Sequence, residues 1–395
     1  MKVLMFGWEF PPFNSGGLGT HCYGLTKALS KRKVEITFVM PATSQKIQAE
    51  FVRIVKAGRK KILQVPVSLS PYRTSLESVE KLESSENQVY GWDFFDRVKK
   101  YTEAAYEIVR NEEFDLVHSH DWMTFLVGAR ISEERKKPFL VTLHSTEFDR
   151  TGGLSPNPWI VEIERYGMEK ADKIITVSNY MKSQIVERYG IPEEKIQVIY
   201  NGIDPDAPNE RIKFGLPEKT VLFLGRLTVQ KGPDYFLYAA KRVLEMEKNV
   251  RFIVVGDGYM LPDLIQKSVE LGIADRVHFT GYVESVDEFY RMADLYVMPS
   301  VSEPFGIVAL EALARGTPVI VSKQSGVSEI LNHCLKVDFW DVEELANKII
   351  SSLRYPPLLE EMRRNGKKEI EGLTWDSVAE RTLQVYESLI NQFRK

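Results

Sequence analysis

Four charged side chains in the second half of the chain have the types and spacing of a site for a polar, phosphorylated ligand. In FLGRLTVQKG, Arg226 stands just past an apolar run and Lys231 follows five residues later, ahead of a helix that begins near Pro233. A guanidinium supplies planar forked donors and an ammonium a mobile point charge, and two such long side chains can reach one diphosphate. The plain alternative is a solvated loop. In EPFGIVALE, Glu303 and Glu311 bracket an apolar run, and buried carboxylates are costly without partners. Sugar and ribose hydroxyls are such partners, each charge-assisted bond contributing roughly 1.5 to 3 kcal/mol. Phe305 and Gly306 are expected to open the following helix, with Ile307 next, so that free amides and the helix dipole face the same diphosphate. Against this stands an exposed cap at Glu303 and a surface position at Glu311.

Other strand ends add candidates. HSHDW places His118, Ser119, His120, Asp121 and Trp122 at or just beyond one apolar run, and His144 in TLHS closes the next. Three readings stay open there: a hydrogen-bonded strand-end histidine with Asp121 capping the next helix, a zinc site from His118, His120 and Asp121, or a cradle for sugar hydroxyls. SGGLGTH, residues 15–21, joins the first strand to a helix, and its glycines either allow close approach to an anion or make a tight turn. Tyr282, after HFTG, either stacks on a nucleobase or packs on its neighbours.

The elements that hold these residues are legible from pattern. VLMFGW, VEITFVM, DLVHS, FLVTL, KIITVS and KIQVIY, then TVLFLG, RFIVVG, VHFTG, LYVMPS and PVIVS, alternate with amphipathic segments, as strands do with crossover helices in parallel sheets. NGIDPDAPNERIKFGLPEK lacks apolar periodicity and reads as the linker between two doubly wound domains. In such sheets ligands gather at the carboxyl ends of the strands. The expected division is 1–204 with the C-terminal helix at about 376–395, and 205–375. That last helix offers Trp375, Val378, Leu383, Tyr386 and Leu389 or Ile390 for a buried stripe, without revealing which domain it joins. Residues 70–90 read as an excursion from the first sheet.

With 395 residues, 44% of them hydrophobic, the chain can build two or three cores. A net charge of −3 gives no global positive field for nucleic acid or an anionic bilayer. Glu9 and the Pro11, Pro12 pair break the first apolar stretch, which argues for a strand over a signal peptide, and no run has the length of a membrane span. Cys22 and Cys334 lack metal-ligand spacing and fit a reducing cytoplasm.

Taken together, WEFPPFNSGGLG, HSHDW, TLHST, VSNYM, IYNGID, LGRLTVQKG, GYV and EPFGIVALEALARGTPVI resemble retaining GT-B glycosyltransferases of glycosyltransferase family 4, in particular glycogen and starch synthases. The resemblance implies an α/β GT-B fold of two Rossmann-like domains facing across a cleft, with a C-terminal helix crossing back to the first. It implies a hexosyltransferase using a nucleotide sugar, ADP-glucose or UDP-glucose, and a carbohydrate acceptor. Arg226 and Lys231 would hold the donor diphosphate, Glu303 the 3- and 4-hydroxyls of the sugar, and Glu311 the ribose. His144, Asp121 and Asn201 would surround the sugar, and Gly17 would lie under the diphosphate. Two departures matter: Asn14 stands where bacterial glycogen synthases carry a lysine, and Glu311 is a family 4 feature that many of them lack.

On this reading departure is front-face, with no carboxylate nucleophile and no metal requirement, and Asp204, Pro205 and Asp206 form a turn. The rivals are a lipid-directed transferase held to a membrane surface by Lys27, Lys31, Arg32 and Lys33, an epimerase, and a non-catalytic nucleotide-sugar-binding module.

Overall fold

The computed structural model describes residues 1–11, 16–41, 61–65, 94–204, 210–212 and 218–394, with the backbone alone at 61–65 and 94. Two parallel sheets organise it. The first contains β1 (Lys2–Phe6), β2 (Glu35–Pro41), β3 (Lys61–Val65), β4 (Leu116–His120), β5 (Phe139–Leu143), β6 (Lys173–Thr176) and β7 (Ile196–Val198) in the order β3-β2-β1-β4-β5-β6-β7. The second contains β8 (Lys219–Leu224), β9 (Val250–Val255), β10 (Val277–Gly281), β11 (Leu295–Met298), β12 (Val319–Ser322) and β13 (Leu335–Val337) in the order β10-β9-β8-β11-β12-β13.

Each sheet is doubly wound. Its order reverses between its first and fourth strands in chain order, β1 with β4 and β8 with β11, and the loops leaving those ends diverge to open a crevice. Pairing fixes the height of the functional loops: Met5 lies opposite His118 and Phe6 opposite Ser119 in the first sheet, and Leu295 opposite Val221 in the second. The strands beside each switch are buried on both faces, as β4, β5 and β11 are throughout. This is why they read as continuous apolar runs and not as alternating ones.

Two strands escaped the sequence reading. β3 (KILQV) and β13 (LKV) sit at sheet edges, and their lysines and short length leave no apolar run. The expected excursion at 70–90, Asn14, and the Pro205 and Asp206 of the expected turn lie outside the described residues.

The last helix, Trp375–Phe393, packs on the first lobe. Tyr386 lies within hydrogen-bonding reach of His118 Nδ1, at 2.8 Å, and Arg32 donates to Asp376 at 2.8 Å. The Trp375 indole lies flat against Gly24, where a Cβ would come within 2.3 Å of it. The chain passes between lobes near 201–204 and again near 371–375. There the Ile203 amide donates to the Leu373 carbonyl at 2.8 Å.

Candidate active site

Helices and strand ends of both lobes converge where the second sheet switches direction. About 250 Å³ of open space lies there, lined by Leu224 and Gly225 at the end of β8, Lys231, Ser300 and Glu303 beyond β11, and Val308. Lys231 closes the short turn Val229–Lys231 before the helix Pro233–Met246, and its ammonium donates to Glu303 Oε2 at 2.5 Å. Glu303 is 6% exposed, and Ser300 Oγ lies 3.4 Å from the same oxygen. The two charges that the sequence places 72 residues apart are therefore one pair on the pocket floor.

The anion-facing helix starts later than expected. It spans Ile307–Ala314, with Gly306 as N-cap at φ 105°, a conformation that costs any other residue strain. Phe305 does not open the helix. It is 2% exposed, its ring stacks on Tyr200 with centroids 6.0 Å apart, and its carbonyl accepts the Val327 amide. The first-turn amides without an intrahelical acceptor are those of Ile307 and Val308.

Across the cleft, Gly17 begins the helix Gly17–Lys31, and a Cβ placed on it would lie 3.7 Å from Ile307 Cδ1. Two helix N-termini, one from each lobe, thus face each other. Arg226 reaches the same gap: a Cβ on Gly16 would sit 3.0 Å from its Nη2. A site of this kind suits an anion twice over, by backbone dipoles and by cationic side chains.

On the first lobe, Asp121 leaves β4 at φ 59° and does not cap the following turn; its Oδ1 accepts the His144 amide at 2.7 Å. Burial raises its carboxyl to about 7, against the opposing pull of that amide bond. Asn201 is buried, with Oδ1 2.7 Å from His21 Nδ1. His144 Nε2 lies 3.0 Å from His120 Nδ1. The expected alternative of zinc on His118, His120 and Asp121 does not fit this arrangement. Both nitrogens of His118 are engaged, by Tyr386 and by Thr142 Oγ1 at 2.7 Å, and Asp121 faces the His144 amide. Among the described residues, the set whose nitrogens come together is His21, His120 and His144, all within 4.8 Å of one another.

Glu311 is half-buried and accepts from the Tyr290 hydroxyl at 3.0 Å; burial pushes its carboxyl above the usual range, with Tyr290 and Arg315 pulling the other way. Tyr282 stands beyond β10, 70% exposed. It is not packed on neighbours to any large extent.

Two family models divide the chain: glycosyltransferase family 4 matches residues 15–207 and glycosyl transferases group 1 matches residues 206–369. An uncharacterized glycosyltransferase of Methanocaldococcus jannaschii is 33% identical, with 98% of each chain covered. This chain belongs to the GT-B glycosyltransferases and is family 4-like. The transferase is also similar to glycogen synthase of Mycobacterium tuberculosis, 28% identical over 98% of this chain and 94% of the relative. Its fold is that of sucrose-phosphate synthase from Thermosynechococcus elongatus (TM-score 0.80, 21% identity, 99% of both chains). It also matches in fold an Anabaena protein, HepE, solved with UDP and glucose (TM-score 0.73, 19% identity, 98% of this chain and 100% of that one).

Several residues around this cleft carry no sequence signal. Glu9 is buried, and its Oε2 accepts the Gly19 amide at 3.2 Å, so a carboxylate already sits at the first turn of the glycine-rich helix. Ser302 donates to Asp149 Oδ1 of the opposite lobe at 2.6 Å, and Ser178 donates to the Pro304 carbonyl at 2.6 Å, which pins the loop carrying Glu303 across the cleft. The basic run proposed for a membrane surface is partly spoken for, since Lys31 and Arg32 both pair with Asp376. Among the described residues no helix is long and apolar enough to cross a membrane.

Proposed function

We propose that this glycosyltransferase is a retaining hexosyltransferase that moves glucose from ADP-glucose or UDP-glucose to a carbohydrate acceptor. Residues 205–375 take the donor, and residues 1–204 with the C-terminal helix present the acceptor. The observation that carries the reading is the convergence, at the β8/β11 switch, of Arg226, the Lys231–Glu303 pair and two opposed helix N-termini. Its relatives named for glycogen synthesis and the fold neighbour holding UDP and glucose agree with it.

In the reaction, Arg226, Lys231 and the Ile307 and Val308 amides bind the diphosphate and hold the negative charge that grows as the glycosidic bond breaks. Fixed donors aimed at developing charge are the largest common source of rate enhancement. Gly17 lies under the diphosphate, and Gly306 sets the helix direction. Glu303 orients the sugar through its hydroxyls and Glu311 holds the ribose, with Tyr282 exposed where a base can stack. His144, oriented through its own amide by Asp121, and Asn201 line the sugar. The leaving phosphate oxygen takes the acceptor proton on the same face, so configuration is retained. Glu303 is held by Lys231 and Asp121 by the His144 amide, which favours this route over a carboxylate nucleophile set about 5 to 5.5 Å from a partner acid. Two cations and two helix ends do the neutralising, so no metal is required.

A thermal-shift panel of nucleotide sugars tests the donor, since a ligand at 100 times its dissociation constant stabilises by about 2.7 kcal/mol. Product anomeric configuration read by NMR, with the panel's best donor and a malto-oligosaccharide acceptor, tests the reaction. No shift with any nucleotide sugar, or an inverted product, refutes the proposal.

A further inference from the structure

Beneath the cleft, His21 and His120 gather against His144 in a cluster that sugar transfer does not require. We infer that His21, His120 and His144 make a binding site for a late first-row divalent cation of the zinc class, with three imidazole ligands and the fourth position left to water. Their ligand nitrogens come from three different elements: the glycine-rich helix, the end of β4 and the residue after β5.

Tautomers follow from partners. The Asn201 amide oxygen can only accept, so the 2.7 Å contact makes His21 Nδ1 the donor and leaves a lone pair on Nε2. That Nε2 is buried and has no partner among the described residues. An imidazole that donates through one nitrogen to a fixed oxygen and offers the other is the arrangement that orients metal-ligating histidines. His120 Nδ1 and His144 Nε2 lie 3.0 Å apart, a separation that serves an N–H···N bond or two ligands of one ion, and His120 Nε2 is a second buried atom without a partner. Zinc–nitrogen bonds of about 2.0 to 2.1 Å in a tetrahedron put ligand nitrogens about 3.4 Å apart. One pair is already near that spacing, and the three lie within 4.8 Å of one another, so closing on one ion requires the rings to turn inward.

The electrostatics agree. Burial disfavours the charged form of each imidazole, lowering His21 to about 4 and His120 and His144 well below their ordinary value. His118, whose ring lies tilted beside that of His120 with centroids 4.2 Å apart, is excluded as a ligand by its bonds to Tyr386 and Thr142. His144 alone of the three is half-buried, which opens the site to the cleft. On the proposed function, and resting on it, a cation here would seize His144 from the donor sugar and inhibit transfer reversibly.

The test uses chelator-treated full-length protein without any nucleotide sugar, titrated with Co²⁺ and then Zn²⁺. The expected result is one equivalent of Co²⁺ with the intense visible bands of four-coordinate cobalt, displaced by Zn²⁺. Asn201→Ala, which removes the orienting partner, should weaken the affinity about 10- to 100-fold, and His21→Gln by about 100-fold or more. A pale six-coordinate spectrum, or an affinity unchanged in both variants, overturns the site. Circular dichroism checks that the variants fold; if His21→Gln does not, the cobalt spectrum and Asn201→Ala decide. Tight four-coordinate binding without inhibition of transfer would sink the assignment of His144 to the sugar and leave the cation site standing.

Discussion

Glu303 and Lys231 form a contact whose removal should separate binding from chemistry. The Lys231 ammonium sits 2.5 Å from Glu303 Oε2, with the two side chains 25% and 8% exposed. A diphosphate entering the pocket must share that ammonium with the carboxylate. Glu303→Ala releases it, so the variant should bind UDP or ADP alone more tightly. The pair is partly solvated, so the competition is worth about 1 kcal/mol, or about fivefold in affinity. The same substitution deletes an acceptor for sugar hydroxyls in the transition state. One fixed polar contact of this kind contributes about 2.7 to 4 kcal/mol, and kcat should fall by about 10² to 10³. Lys231→Ala should do the reverse for binding: nucleoside diphosphate affinity drops, because a cation is lost and the buried carboxylate left behind repels the ligand. Isothermal titration with UDP and ADP, beside initial rates at saturating donor, measures both halves. If Glu303→Ala retains activity within about threefold of the parent and both variants bind diphosphate equally, the pair is not at the donor, and the reasoning fails.

Other expectations are simpler. Glu311→Gln should weaken nucleotide affinity yet not stability: burial raises the Glu311 carboxyl above its ordinary 4.5, so the folded state holds that proton more tightly, and its contribution is lost as pH rises through the folded value. Melting curves from pH 4 to pH 8 should show the variant gaining on the parent toward alkaline pH, and a parent that gains on the variant instead would contradict the sign. Gly306→Ala should cost on the order of 1 to 3 kcal/mol in denaturant unfolding, since φ is 105° and the added methyl meets Met298 Cε at 3.0 Å; nucleotide binding should fall with it as the helix start tilts, and an unstrained variant would refute the argument. Tyr386→Phe should destabilise the first lobe by about 1 to 3 kcal/mol by stranding His118 Nδ1 in the core, measured as a lower urea midpoint, and no change there would mean water replaces the hydroxyl.

Much of the architecture was legible because buried parallel strands need uninterrupted apolar residues, and those at the centre of both sheets have them. β3 and β13 were not, since an edge strand can be short and carry lysine. The spacing of Arg226, Lys231, Glu303 and Glu311 points to a polar site because two cations and two acids fall beside apolar strand ends, although a solvated loop and an exposed cap fit the same spacing. Where the helix began was missed by two residues: nothing local says that Phe305 packs on Tyr200 instead of turning. Asp121 looked like a cap by type, but its backbone at φ 59° turns the carboxylate to the His144 amide. His21 was out of reach entirely, as its meaning depends on Asn201, 180 residues away, and on a strand order that brings them together.

The two passages of the chain between lobes lie side by side, stitched by the Ile203 amide and the Leu373 carbonyl. Adjacent straps resist shear and twist far more than bending, so the lobes behave as covers on a spine with one soft coordinate. The Ser302 and Ser178 bonds tie the lobes again close to those straps, since Pro304 precedes the Phe305 ring that stacks on Tyr200. Severing the backbone after Asp204 would leave the second strap intact, and the halves should still find one another as a noncovalent pair.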